Sequence, residues 1–173
     1  MTNKSKSTAF IGVCVALAMI LAYIEVIIPP LLPAIPGIKM GLPNIIIVFL
    51  LYRRGPLFAA SVSLVRIILV SMLFGNSMSL MYSLAGGILS LLIMILLRRL
   101  NLLSTVGVSV AGGVSHNLGQ ILTAMVLLET SQLGYYMVVL TVTGTVSGIL
   151  IGLCGALLIK RIPQKILDNT HKV

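Results

Sequence analysis

Long apolar runs broken by pairs of basic residues constrain this chain more than any other feature. Arg53-Arg54, Arg98-Arg99 and Lys160-Arg161 stand between stretches that otherwise hold almost no charge. Hydrocarbon offers backbone N–H and C=O groups no partner, so such runs must close their own hydrogen bonds as helices. At 1.5 Å per residue, about 20 residues cross a hydrocarbon core of roughly 30 Å. The composition agrees, with 58% hydrophobic and 9% charged residues over 173 positions. The pattern predicts an all-α integral membrane protein with six transmembrane helices, over residues 8–28, 44–54, 56–74, 78–97, 104–128 and 135–159 of one membrane domain, 1–173. The second run is too short to cross alone and is expected to begin below the membrane surface. A cleaved signal peptide is the rival reading of the N-terminus, because Ala16-Leu17-Ala18 resembles a cleavage site. Against it, the apolar run continues to Ile28 and five more follow.

The basic residues also set the orientation. With the N-terminus in the cytoplasm, Lys4, Lys6, Arg53, Arg54, Arg98, Arg99, Lys160, Arg161, Lys165 and Lys172 all fall inside. Lys39 alone is in an outside loop, and Arg66 lies within a span. That bias predicts cytoplasmic N- and C-termini and a multi-pass membrane protein. The net charge of +9 therefore reports topology, and no nucleic-acid partner is expected.

Polar residues inside the runs carry the functional reading. Gly112-Gly113-Val114-Ser115-His116-Asn117-Leu118-Gly119-Gln120 interrupts the fifth run. Residues four apart share a helix face, so Gly112, His116 and Gln120 align, with Asn117 on the flank. Such a cluster faces the protein interior or a cavity rather than lipid. Arg66, mid-way along the third run, costs about 2.5–3.5 kcal/mol on insertion scales, and its apolar neighbours return roughly 3–7 kcal/mol. The span inserts, but Arg66 still requires Glu25, a helix carbonyl or an anionic ligand as partner. Pro29 to Pro43 holds five of the seven prolines and is expected to fold over the outer end of the bundle as a lid or partial plug. Lys39, Asn44, Asn76 and Tyr82 sit near that end. Together with Arg66, His116, Asn117 and Gln120 they make a candidate binding site open to the outside. In the competing reading, the fifth-run polar groups only hydrogen-bond neighbouring helices.

The chemistry available is narrow. Three acidic residues, Glu25, Glu129 and Asp168, are too few for much carboxylate catalysis. No phosphate-binding Walker loop, paired-histidine metal motif or nucleophile elbow occurs. Ser115 and His116 are neighbours on a helix and point about 100° apart, so they form no catalytic pair. Cys14 and Cys154 stand alone in separate runs. No cofactor and no enzymatic activity are expected. Small residues recur at helical spacing as Thr8, Gly12 and Ala16, as Ala18 and Ala22, and as Gly144, Gly148, Gly152 and Ala156, which allows close helix approach.

Three motifs carry a resemblance: Gly37-Ile38-Lys39-Met40-Gly41-Leu42-Pro43-Asn44; Leu73-Phe74-Gly75-Asn76 with Tyr82-Ser83-Leu84-Ala85-Gly86-Gly87; and the segment Gly112 to Gln120. Together they resemble the bacterial Gx transporter family, also called heptaprenyl diphosphate synthase component I. That family is similar to the substrate-binding S components of energy-coupling factor (ECF) transporters. The resemblance implies a six-helix fold holding a small molecule near the outer face, with an ECF-type membrane subunit and cytoplasmic ATPases as partners. It also implies docking through a small-residue stripe on the first helix, which Gly12 and Ala16, or Ala18 and Ala22, match. The alternative it implies is a non-catalytic accessory of flavin-based extracellular electron transfer or of quinone and isoprenoid metabolism. Prenyl diphosphate synthases carry aspartate-rich motifs, and this chain has a single aspartate, Asp168.

Overall fold

The computed structural model describes residues 3–27 and 40–162. They form α1 (Asn3–Ile27), α2 (Asn44–Arg53), α3 (Pro56–Phe74), α4 (Ser77–Leu100), α5 (Thr105–Leu127), a short 3-10 segment (Ser131–Tyr136) and α6 (Met137–Arg161). No strand occurs among the described residues, so the protein is all-α. Four stretches, Ser7–Ile27, Pro56–Phe74, Ser77–Leu100 and Ser131–Arg161, are long and apolar enough to cross a membrane. This is a multi-pass membrane protein. The other two helices differ for physical reasons: α2 has 10 residues, about 15 Å of rise, and α5 carries the polar cluster of residues 115–120.

Local chemistry sets the helix ends. The Asn76 side chain accepts from the Ser79 N–H at 2.8 Å and caps α4. Ser104 does the same for α5 through the Gly107 N–H at 3.2 Å. Pro56 opens α3, where its missing N–H is no loss. Glu129 closes α5 in the left-handed region, at φ 49°. The Thr130 N–H then reaches back to the Met125 carbonyl at 3.2 Å, which is the Schellman closure.

Glycine decides how closely α4, α5 and α6 pack, and α5 lies between the other two. A Cβ on Gly119 would come within 2.9 Å of the Gly86 Cα. One on Gly113 would meet the Gly144 carbonyl at 2.6 Å, and one on Gly148 the Val110 Cα at 2.6 Å. These glycines therefore let backbones touch, which is how membrane helices associate without a hydrophobic drive between them. The small-residue stripe of α6 is an internal seam.

The short helix α2 sits in the core. Ile46, Ile47, Val48, Phe49, Leu50 and Leu51 are all buried in sequence, so it is apolar on every face and enclosed on every face. It packs on α3 and α6, and the buried cluster around it draws in Cys14, Ala18, Val62, Met94, Val108 and Ile151. Arginines tie its C-terminal end to its neighbours. The Arg53 side chain donates to the Ile159 carbonyl of α6. Arg98 of α4 donates to the Tyr52 carbonyl at 3.3 Å and covers the Tyr52 ring. The Arg54 guanidinium stands 5.0 Å from the Phe10 ring centroid and 5.2 Å from that of Phe58. One end of the bundle is thus a basic clamp on α1, α2, α3, α4 and α6. The opposite half is where α2 is absent, and it holds the polar groups.

Candidate functional site

Because α2 spans only half the bundle, a space remains beyond its N-terminus. A cavity of ≈ 70 Å³ occupies it, lined by Ala22 and Glu25 of α1, Gly41 and Pro43 of the following turn, and Asn44 of α2. Arg66, Ile67, Val70 and Ser71 come from α3, Ser79 and Ser83 from α4, and His116, Asn117 and Gln120 from α5. Arg66 lies eight residues before the end of α3 and Gln120 seven before the end of α5. The site is therefore roughly 10–12 Å below that end of the bundle.

Gly41 and Gly86 shape the walls. Gly41 turns the backbone with φ +76°, and a Cβ there would come 3.1 Å from the Asn44 side-chain nitrogen. The Gly41 N–H donates to Glu25 Oε1, and the Leu42 N–H donates to the same oxygen at 3.2 Å. Glu25 thereby ties the end of α1 to the entry of α2. A Cβ on Gly86 would come 2.7 Å from the His116 carbonyl and 2.8 Å from Gln120 Cγ. Glycine on α4 is what lets the α5 polar face reach the cavity.

The polar side chains divide into committed and uncommitted groups. The Asn117 amide donates to the Leu140 carbonyl of α6 at 2.8 Å and bridges two helices. Glu25 is engaged by the backbone of residues 41 and 42. By contrast, the side chains of Arg66, Asn44 and Gln120 make no hydrogen bond among the described residues, and Arg66 Nε is fully buried. Glu25 is the charge that attracts Arg66, without a hydrogen bond between them. Arg66 thus presents a fork of donors to a cavity whose other walls contribute amides and hydroxyls.

The eight residues expected in the site fare differently. The structure brings Asn44, Arg66, His116, Asn117 and Gln120 together around the cavity. Asn76 does not line it. Its side chain is spent on the α4 cap, in an exposed turn. Tyr82 does not line it either, being half-buried one position before Ser83. Lys39, and with it residues 29–39 of the lid expected over Pro29 to Pro43, lies outside the described residues. Ser71, Ser79 and Ser83 were missing from the expected site. Ser79 and Ser83 are four apart on α4, a spacing that puts them on one face.

The two small-residue pairs of α1 also separate. Ala18 and Ala22 are buried, Ala18 in the core and Ala22 in the cavity wall, so they are not on an outer docking surface. Gly12 and Ala16 face outward, and an added Cβ on Gly12 would meet no atom within 4 Å.

No group of three metal-ligating side chains occurs among the described residues. Fold and site together define the class: an all-α, multi-pass membrane protein with a polar cavity buried in one half of its bundle. The chain belongs to the heptaprenyl diphosphate synthase component I family, whose sequence profile matches residues 14–158. The matched stretch contains every residue lining the cavity. No curated protein and no solved structure matches the chain. The family name denotes one component of a synthase and is consistent with a subunit that is not itself catalytic.

Proposed function

We propose that this protein is a membrane-embedded binding subunit for a small polar molecule, working in the manner of an S component beside partner proteins that supply energy. The observation that carries the reading is the set of uncommitted side chains, Arg66, Asn44 and Gln120, turned into one cavity. A buried polar group without a partner costs about 1–3 kcal/mol, more when charged. Arg66 Nε is such a group, and the amides of Asn44 and Gln120 line the same space with no hydrogen bond among the described residues. The basic clamp faces the cytoplasm of a bacterial cell, and the cavity opens toward the other side. The outward Gly12 and Ala16 offer a flat strip on α1 to a transmembrane partner, which couples the subunit to cytoplasmic ATPases.

Native mass spectrometry of the protein released in mild detergent tests the reading directly. A small molecule should be retained by the wild type and lost from Gln120→Leu. Gly12→Leu should release a membrane partner while that molecule stays bound. Purification with no retained molecule from any membrane source, and no stabilising compound in a metabolite panel, would sink the proposal.

A second reading is a non-catalytic membrane accessory of quinone or isoprenoid metabolism, which fits the family name, or of flavin-based extracellular electron transfer. Its single aspartate, Asp168, leaves metal-dependent prenyl transfer to another chain. Co-purification separates the two readings: ATPases accompany a transporter, and a prenyl synthase or flavoprotein accompanies an accessory.

A further inference from the structure

We infer that the cavity recognises an oxyanion, a carboxylate or phosphate group on a small molecule, with Arg66 as its principal contact. The inference rests on the binding role proposed above and names the chemistry of the guest. Guanidinium stays protonated, so Arg66 carries its charge into the membrane interior whatever the local environment. The only described carboxylate near it is Glu25. That carboxylate makes no hydrogen bond to Arg66, and its Oε1 already accepts from the Gly41 and Leu42 N–H groups. Glu25 therefore lowers the cost of the charge without occupying the donors.

The backbone does not occupy them either, and it offers little else to a guest. The first N–H groups of α2 are closed internally, Asn44 N–H on the Gly41 carbonyl at 2.8 Å and Ile45 N–H on the Leu42 carbonyl at 3.1 Å. Recognition at this end of α2 falls to side chains. A planar fork of five donors matches the two oxygens of a carboxylate or two of a phosphate, which a point-charge ammonium does not. Asn44 and Gln120 each add an amide on the same cavity. At ≈ 70 Å³ the space takes a handful of water-sized groups, which suits an acid group on a short stem rather than a large ring system.

The acid group could arrive from solution or on a lipid, and the test separates these sources. Purified protein is placed in nanodiscs of phosphatidylcholine, and thermal unfolding is followed against acetate, inorganic phosphate and, at matched ionic strength, chloride. A parallel set replaces part of the lipid with phosphatidic acid. Stabilisation by acetate or phosphate over chloride indicates a soluble acid. Stabilisation only in the phosphatidic acid discs indicates a lipid headgroup. Both support the oxyanion. Arg66→Gln should weaken the effective anion about 10- to 100-fold, the range expected for losing a hydrogen-bonded charge. Arg66→Lys should recover only part of it. In anion-free discs Arg66→Gln should unfold at the same temperature as wild type or higher, because it removes a buried charge with no hydrogen bonds. Gln120→Leu should weaken binding with Arg66 in place, which keeps the test alive if the Arg66 variants fail to fold. Equal response of wild type and Arg66→Gln, or no oxyanion effect beyond chloride, overturns the inference. Retention of a molecule without an acid group, equally by wild type and Arg66→Gln, overturns it while leaving the binding role intact.

Discussion

His116, Asn117 and Gln120 look alike in the sequence, three polar residues costly to place in hydrocarbon, yet two of them differ in the structure in what they bond. Asn117 holds α5 to α6 through the Leu140 carbonyl. Gln120 holds nothing among the described residues. Asn117→Ala should therefore lower the unfolding temperature in detergent, by an amount equivalent to about 0.6 kcal/mol and at most about 1.7, the measured range for such membrane hydrogen bonds. Gln120→Leu should leave the unliganded protein unchanged or more stable, and its effect should appear only when a guest is bound. Equal destabilisation by both would return Gln120 to a structural role. Polarity within an apolar run was enough to find this cluster and Arg66. It could not separate a bridging amide from an unbonded one, because the difference depends on how α5 is rotated against a carbonyl 23 residues away. Asn76 lies off the cavity for a related reason. It lies close to the cavity along the chain, but a residue immediately before the first turn of a helix finds its nearest unpaired N–H groups in that helix, and its side chain caps them.

Among the elements, spacing was legible and facing was not. Six helices follow from apolar runs and basic breaks, and the polar run of α5 marks an inner helix because it lies between α4 and α6. The four-residue repeat of small side chains says only that something comes close. Gly148 meets the Val110 backbone within the chain, whereas Gly12 meets no atom within 4 Å. Gly148→Ala should cost about 1–3 kcal/mol, the usual range for overpacking, since backbone atoms cannot give way as a flexible side chain can. Gly12→Ala should be neutral to stabilising in the isolated protein, alanine being the better helix former. Matched unfolding curves of the two variants check this, and a large loss at Gly12 in purified protein would place it in an internal contact instead. The end of α5 offers a gain. Glu129 adopts φ 49° at the position where glycine is preferred. Glu129→Gly should relieve roughly 1 kcal/mol of left-handed strain, read as a raised unfolding temperature. A lowered one would mean that the Glu129 side chain contributes more than its backbone costs.

The whole molecule is asymmetric from end to end, and that asymmetry predicts an orientation. Arg53, Arg54 and Arg98 sit in the clamp that joins the ends of α2, α4 and α6. Arg99, Lys160 and Arg161 are exposed at the same helix ends. At the other end the described turns at 75–76 and 128–130 carry no lysine or arginine. Lysine and arginine are retained on the cytoplasmic side during insertion, so the expected orientation has the clamp inside and the cavity, on the half beyond α2, toward the outside. An uptake protein that meets its guest outside the cell requires this orientation, and one that receives it from the cytoplasm requires the reverse. Single cysteines in a background free of Cys14 and Cys154 distinguish the two. Asn76 and Ser131 are exposed at the cavity end, and Leu102 is 68% exposed at the clamp end. Leu102 is preferable to its neighbour Asn101, whose left-handed backbone (φ 51°) would strain a cysteine. In intact cells an impermeant maleimide should label Asn76→Cys and Ser131→Cys and leave Leu102→Cys unlabelled until the membrane is opened. Labelling of Leu102→Cys alone would turn the molecule over, and the cavity would then be filled from the cytoplasm.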